Sequence, residues 1–380
     1  MVDGGRAATG LVLRNSCPRL GKTPLHTSAP GSLAPFFPIP LPDPVVSFSD
    51  RPSPLSRTPP LALLRMSAPH QPPQRIVSLL PSATEMLCLL GLSDRIVGIS
   101  HECDFPPGIQ DRPRVTQSML APTLTSQEID ERVRTQPMTG QPLSRLDHDR
   151  LLSLAPDLVI TQSLCEVCAI GFAEVQDAVR RLPSQPPLLS LQPHTLDDVF
   201  QALREIARWT GTLPSAEAVL KNLQDRLLAV QNRSAGITNP RRTLLLEWVD
   251  PPFSAGHWSP QLVEWAGGRE VLGEAGERSR SLAWEEVTHA DPEVLIVACC
   301  GFDLARSRHE LPLLRQAPGF HDWCCTRNGE LYLVDGNAWF SRSGPRLIDG
   351  LEILAHTLHP QLHPAPPGLP LAERIPVAVD

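Results

Sequence analysis

Short apolar runs alternate with amphipathic segments along the chain from residue 75 onward. The runs are rich in Ile, Val and Leu, which is typical of parallel strands buried on both faces. The segments between them carry apolar residues at helical spacing. The runs lie at 75–80, 95–99, 156–162, 188–191, 243–247, 294–298 and 331–335. This alternation predicts an α/β fold with parallel strands and right-handed crossovers.

One helical segment interrupts the alternation and divides it into two halves. Its apolar residues follow a helical period, and no strand separates it from the next half: Ala218, Leu220, Leu223, Leu227 and Val230. We therefore predict an N-terminal α/β lobe at 75–194, a helical connector at 195–238 and a C-terminal α/β lobe at 239–360. The proline-rich stretch 361–380 is expected to be a frayed tail.

Residues 1–74 have a different character from the rest of the chain. They contain 15 of the 42 prolines and show no sustained periodicity. Such a segment buries too little apolar surface to offset the entropy of ordering it, so we expect a disordered extension. Met66 lies just before the ordered part, and 1–65 are untranslated if Met66 is the true start. The segment lacks the apolar core of a secretory signal, although its basic bias is also typical of transit peptides.

Composition restricts the classes of function. The formal charge of −7 argues against nucleic-acid binding, which usually requires a basic face. No apolar run is long enough to cross a bilayer. Nine cysteines, an odd number in a large chain, do not resemble a secreted disulfide framework. A reducing compartment is the simpler setting for them.

The stretch 244–268 has the strongest local signature. It reads as a strand, a loop broken by Pro251 and Pro252, and a helix that ends at Gly267. In an open α/β sheet, a loop after a strand lies at the carboxyl edge, where ligands bind. We interpret it as a pocket wall, and the alternative is an aromatic-rich structural loop. The candidate residues are Glu247, Trp248, Phe253, His257 and Trp258.

Several segments resemble the periplasmic-binding-protein family for iron-siderophores and vitamin B12. The opening RIVSLLPSATE at 75–85 and the repeated APDLVI and ADPEVLI segments at 155–160 and 290–296 carry the resemblance, which spans about 75–360. The segment from Glu247 to Trp258 and the Cys165-x-x-Cys168 pair resemble its cobalamin-binding subgroup. The resemblance implies two Rossmann-like lobes joined by one long helix, with the ligand in the cleft between them.

The resemblance also implies a non-catalytic, monomeric solute-binding protein that delivers cobalamin, a related corrinoid or an iron chelate to an ABC importer. Two glutamates on opposite lobes would dock arginines of the permease. Glu85 is the candidate in the first lobe, and Glu274 is selected in the second, where Glu270 and Glu277 are the alternatives. The resemblance implies a periplasmic protein. The lack of a recognisable signal leading into the first strand instead favours a cytosolic one.

Four loops should meet at the cleft: 100–105, 162–169, 247–258 and 336–345. A corrinoid has apolar faces and an amide-bearing rim, so aromatic residues suit the faces and polar residues the rim. His257 could bind cobalt or donate a hydrogen bond to an amide. Besides the residues of the 244–268 stretch, the candidates are Asp335, Asn337, Trp339, Phe340 and Arg342.

Four cysteines follow predicted strands and form a second hypothesis. Cys103, Cys165, Cys168 and Cys300 would hold zinc or an iron–sulfur cluster if three or four of them meet. They would then support a cytosolic cysteine-metal or redox protein or enzyme on the same bilobal fold. The plain alternative is that they are small buried hydrophobic residues.

Overall fold

The computed structural model describes residues 71–162 and 170–377. In the N-terminal lobe, four strands form a parallel sheet, and their parallel direction agrees with the prediction from the alternation. The order of the strands in this sheet is β2-β1-β5-β6. Two further short strands, β3 and β4, pair with each other in antiparallel fashion. The six strands are β1 (Ile76–Ser78), β2 (Ile96–Ile99), β3 (Thr116–Ser118), β4 (Ser144–Leu146), β5 (Leu158–Gln162) and β6 (Leu188–Leu191).

Helices cover both faces of this sheet. Val77 and Val159 face one apolar cluster, whereas Ile76 and Ile160 face another that continues toward the other lobe. This two-sided burial explains why the strands are continuous apolar runs rather than alternating ones. The helices are α1 (Pro81–Leu89), α2 (Ser126–Thr139), α3 (His148–Ser153), α4 (Phe172–Arg181), α5 (Leu196–Thr210) and α6 (Leu213–Ser234).

The C-terminal lobe contains a six-stranded mixed sheet. Its order is β12-β11-β10-β7-β8, and β9 also pairs with β7. The central β7, β10 and β11 are parallel, and the edge strands β8 and β12 are antiparallel to their neighbours. The strands are β7 (Arg241–Trp248), β8 (Phe253–Ser254), β9 (Gly268–Glu270), β10 (Val294–Val297), β11 (Leu331–Leu333) and β12 (Glu373–Arg374).

Seven helices complete this lobe, most of them short. The longest one closes the lobe and packs against the connector helix α6. The helices are α7 (Ser259–Trp265), α8 (Trp284–Ala290), α9 (Leu304–Arg308), α10 (Leu311–Arg315), α11 (Cys324–Asn328), α12 (Gly336–Trp339) and α13 (Leu347–Leu358). None of the described helices is both long and apolar enough to span a bilayer.

The connector helix α6 joins the lobes, as the resemblance implies. It is 22 residues long and packs against α5 on one side and α13 on the other. Its buried face carries Leu220, Leu223, Leu227 and Val230, which belong to a cluster shared with both lobes. Arg226 donates to Asp349 and Glu352 and fixes α6 to the C-terminal lobe. A helix held along its length by packing permits only small hinge movements.

Residues 116–146, which we call the strap, leave the N-terminal sheet and reach the other lobe. The strap consists of β3, α2 and β4, and its base closes where Asp147 N donates to Val115 O. At the start of α2, Ser126 Oγ donates to Glu310 Oε2 at 2.5 Å. Ile129 packs against the core of the C-terminal lobe. The strap therefore bridges the lobes independently of α6.

The proline-rich end of the chain is a correction to the sequence prediction. Residues 361–377 do not fray, because β12 pairs with β11 and Ile375 is buried in the core of the C-terminal lobe. His363 is buried beside the connector helix and contacts Ser234 Oγ. A two-residue strand is too short to give a periodic signal, so its pairing was invisible in the sequence. The predictions for residues 1–70 lie outside the described residues.

Candidate functional site

A cavity of about 210 Å³ lies between the two lobes at the carboxyl ends of their strands. The N-terminal lobe contributes residues after β1 and β2 and the last residue of β5, and the C-terminal lobe contributes residues at the end of β7 and after β7, β10 and β11. In open α/β sheets, ligands bind in the crevice outside the carboxyl ends of the strands. The lining residues are Leu80, Pro81, Ser82, Glu102, Gln162, Glu247, Gly256, His257, Trp258, Ser279, Ala298, Cys300, Gly301, Asn337, Phe340, Ser341, Arg342 and Ser343.

Six predicted ligand-binding residues line this cavity. Trp258 and Phe340 form its aromatic part and are tied together, because Trp258 Nε1 donates to Phe340 O at 2.7 Å. The polar members come from the loops after β7 and β11. They are Glu247, His257, Asn337 and Arg342. Their contact with a ligand stays a prediction.

The other four predicted residues lie outside the cavity lining. Trp248 packs against Phe302 at a centroid distance of 4.8 Å, with the two rings tilted by 46°, and its Nε1 donates to Asp250 O. Phe253 pairs with Trp248 in the β7–β8 ladder. Asp335 accepts the Ala338 N–H as the cap of α12, and Trp339 lies near the Arg346 guanidinium. Their side chains support the loops that carry the lining residues.

His257 is held in an unusual backbone conformation. Its φ is +51°, in the left-handed region that residues with side chains rarely adopt. The conformation is fixed from both sides, because His257 N donates to Glu277 O and Gly276 N donates to His257 O. The preceding Gly256 approaches the backbone of Ser279 so closely that a Cβ would clash. The segment 276–279 therefore clamps His257 at the cavity wall.

Glu247 fastens the same loop from within the lobe. One carboxylate oxygen accepts the Gly256 N–H at 3.1 Å, and the other accepts the Ser279 hydroxyl. Burial raises the pKa of Glu247, although these hydrogen bonds favour the charged form. Burial lowers the pKa of His257, and nearby His194 and Arg278 lower it further. The shift of the His257 pKa favours its uncharged ring at neutral pH, whereas the shift of the Glu247 pKa makes this carboxyl harder to ionise than a free one.

A cluster of charges, which we call the latch, joins the lobes beside the cavity. It consists of Glu85, Asp104, Asn337, Arg342 and Arg346. Arg342 donates to both oxygens of Asp104, at 2.5 and 2.9 Å, and to Glu85 at 3.4 Å. Arg346 donates two bonds to Glu85, at 2.9 and 2.6 Å. Burial opposes ionisation of Asp104, but Arg342 outweighs it and lowers the Asp104 pKa.

The latch occupies Glu85, one of the two residues predicted to dock a permease. Its side chain is only 3% exposed and is paired with two arginines of its own chain. Contact with a permease arginine would require these pairs to break, and the docking role of Glu85 stays a prediction. Glu274 is exposed, and its docking role stays a prediction.

The cysteines do not assemble into a metal site within the described ranges. Cys103 is fully buried between the hydroxyls of Thr84 and Ser100, and burial raises its pKa. Cys300 lines the cavity, and its backbone N–H donates to Glu247 O at 2.8 Å. Cys165 and Cys168 lie outside the described residues. Residues 71–162 and 170–377 contain no group of three or more His, Cys, Asp or Glu arranged for a metal ion.

Sequence reasoning placed the right loops at the cavity but missed several side chains. Glu102 and Asp104 lie in the predicted loop 100–105, yet only Cys103 was selected there. Two acidic residues in a loop predicted to reach the cleft could have been selected as candidates from the sequence. Ser279 had no such signal, because it lies in a polar segment without periodicity that reaches the cavity only by folding back onto Gly256.

Two α/β lobes, a long connecting helix and an interlobe cavity define the class of bilobal binding proteins. The family model "Periplasmic binding protein" matches residues 76–338, and the chain belongs to that family. It is therefore a binding protein by descent and not an enzyme.

Relatives and solved structures agree with this assignment. The vitamin B12-binding protein of Pectobacterium atrosepticum is 22% identical over 293 residues, covering 75% of this chain and 88% of that protein. A periplasmic heme binding protein from Pseudomonas aeruginosa superposes with a TM-score of 0.59 at 20% identity, covering 77% and 96%. The periplasmic vitamin B12 binding protein of Vibrio cholerae gives 0.55 at 19% identity, covering 76% and 97%. These structural likenesses show the fold.

Proposed function

We propose that this protein binds cobalamin or a related corrinoid in the interlobe cavity and delivers it to an ABC importer. The observation that carries the proposal is the cavity wall, where Trp258 and Phe340 lie among hydroxyl, amide and other hydrogen-bonding side chains. An apolar macrocycle with an amide rim needs flat apolar surface and hydrogen-bond partners together. Relatives named as vitamin B12-binding proteins support the same ligand class. Delivery to an importer implies a periplasmic location.

The cavity must enlarge for this function. Its volume of about 210 Å³ lies below the roughly 300–1,000 Å³ of typical ligand pockets, and a corrinoid is larger than it. A small hinge movement about α6 must therefore widen the cavity before the ligand enters. Opening requires the latch to break or rearrange, since it crosses the cleft at the cavity edge.

Glu274 is the exposed candidate for contact with a permease. It lies in the segment that follows β9, in the same part of the lobe as the clamp on His257. We propose that this surface faces the importer.

The proposal is tested by titrating the full-length protein with cyanocobalamin and following the quenching of tryptophan fluorescence. Saturable binding with a Kd of about 1 μM or lower is expected. Trp258→Phe should weaken binding about fivefold, because it removes wall area and the hydrogen bond that orients Phe340.

The matched control is Trp284→Phe, which alters a partly buried tryptophan of the same lobe. Trp284 stacks on Trp323 and does not line the cavity. Its substitution should leave the affinity unchanged. Absence of saturable binding by the unmodified protein would refute the proposed function.

A further inference from the structure

The cavity edge has more acidic than basic groups. The N-terminal lobe contributes three carboxylates, and the C-terminal lobe contributes two guanidinium groups. When all are ionised, one negative charge is in excess, whether the lobes are apart or together. The five side chains are Glu85, Glu102, Asp104, Arg342 and Arg346.

Both terminal nitrogens of the Arg342 guanidinium donate hydrogen bonds within the protein. Among the described residues that line the cavity it is the one arginine, and no lysine lines it. Besides Asp104 and Glu85, it donates to Glu102 O at 3.1 Å and to Asn337 Oδ1 at 3.0 Å. Its pKa is raised, because its carboxylate partners outweigh the opposing effect of burial. A ligand carboxylate could reach this cation only by displacing Asp104.

The rest of the cavity wall offers neutral hydrogen-bonding groups. Hydroxyls and amides predominate among its polar side chains, including Ser82, Gln162, Ser279, Asn337 and Ser341. Burial favours the uncharged ring of His257, and both carboxylate oxygens of Glu247 already accept hydrogen bonds, from Gly256 N and Ser279 Oγ. Arg278 adjoins Ser279 in sequence, but it is exposed and does not line the cavity. Amides can donate and accept hydrogen bonds with such groups without an unpaired charge.

We propose that the cleft selects macrocycles rimmed by amides over macrocycles rimmed by carboxylates, and that Asp104 and Glu85 set this preference by neutralising Arg342. The inference rests on the proposed corrinoid-binding function and narrows its substrate class. A heme carries two propionate groups, which must leave water for a site whose cation is already paired. Burial of an unpaired charge is costly, so such ligands are rejected.

The test compares two ligands with the same corrin ring. Dicyanocobinamide has amides at its rim, and dicyanocobyrinic acid has carboxylates at the corresponding positions. The full-length protein should bind the amide ligand at least about tenfold more tightly at pH 7, and hemin should behave like the acid. Absorbance and calorimetric titrations give both dissociation constants.

Asp104→Asn tests the assignment to the latch. It frees one side of Arg342 while Glu85 still partners the other, so the acid should gain about tenfold while cobinamide changes little. Asp94→Asn is the matched control, since Asp94 is an exposed partner of Arg112 on the same lobe. Its substitution should leave the ratio of the two affinities unchanged.

Each outcome decides between the proposals. Equal affinity for the two corrins, or a ratio that Asp104→Asn leaves unaltered, would overturn the selectivity inference and leave corrinoid binding intact. If neither corrin binds, the proposed function fails and this inference fails with it. If the protein prefers the amide ligand, and if the ratio of the two affinities falls in the Asp104→Asn variant, both corrinoid binding and the selectivity inference are supported.

Discussion

Two bridges cross the cleft, and they are built from different interactions. The latch joins the lobes through charges beside the cavity, centred on Glu85, Arg342 and Arg346. The strap joins them through apolar packing of Ile129 and a buried hydrogen bond from Ser126 to Glu310. Arg306 strengthens the strap by donating to Leu124 O at 2.5 Å.

The difference indicates separate roles for the two bridges. Charge pairs are directional and can be exchanged for ligand or water contacts, so the latch is suited to breaking when the lobes open. Apolar packing loses its stabilisation as soon as water enters, so the strap resists opening. The strap also attaches to the lobe just after Cys300 and Gly301, which line the cavity. Ligand binding and strap docking therefore share one segment of chain.

The largest expected change in the free energy of unfolding comes from substituting Glu85, the buried carboxylate of the latch. Glu85→Ala would leave Arg342 and Arg346 without their shared buried counter-charge and should lower the free energy of unfolding by about 3–5 kcal/mol. Urea denaturation measures the change. Asp94→Ala removes an exposed pair and should cost no more than about 1 kcal/mol. Equal losses in the two variants would show that the latch is no stronger than a surface ion pair.

A smaller and more local effect is expected in the strap. Ser126→Ala removes the hydroxyl that donates to Glu310 Oε2, leaves this buried carboxylate with Arg306 at 3.5 Å as its remaining partner, and should cost about 1–3 kcal/mol. Because β3 and β4 pair with each other in a separate two-stranded sheet and not with the four-stranded sheet of the lobe, we expect local opening rather than global unfolding.

Amide hydrogen exchange can separate these two possibilities. Exchange should accelerate across α2 in the Ser126→Ala variant while the amides of β7 and β10 keep their protection. Ser153→Ala, in an exposed side chain that bonds only to its own helix, is the control and should change neither region. A uniform acceleration across both lobes would argue against an independently opening strap.

The smallest effect is the response of the latch to acid. The folded-state pKa of Asp104 is lowered, so its pairing contributes stability above its ordinary pKa of 3.8 and loses it as the pH falls through the lowered value. Asp104 is partly exposed, so the contribution should be below about 1 kcal/mol. The stability difference between the wild type and Asp104→Asn should be constant above about pH 5 and shrink as the pH falls below 3.8 and through the lowered pKa of the folded state. A difference that grows in acid would contradict this sign.

Much of the fold followed from local pattern. The apolar runs at 243–247 and 294–298 became adjacent parallel strands, and the periodic segment 215–231 became the connector helix. Both predictions rely on spacing within one element. The loops at the cavity were also predictable, because parallel strands place their carboxyl ends at one edge.

The individual side chains of the candidate site were less predictable. Trp248 and Trp258 looked equivalent in the sequence, yet one packs on Phe302 and the other lines the cavity. The direction of each depends on β8, a two-residue strand that folds back on β7. A ladder this short leaves no periodic trace, so pattern reasoning could not separate them.

The sequence by itself determined the strands, the connector helix and the set of loops that meet at the cleft, because each depends on residues close together in the chain. Only the tertiary structure decided that Glu85 is an internal partner of Arg342, which lies 257 positions away. It also decided that the strap reaches the other lobe and that the last strand closes the sheet. These pairings follow from packing between distant segments, and local hydrophobic periodicity carries no record of them.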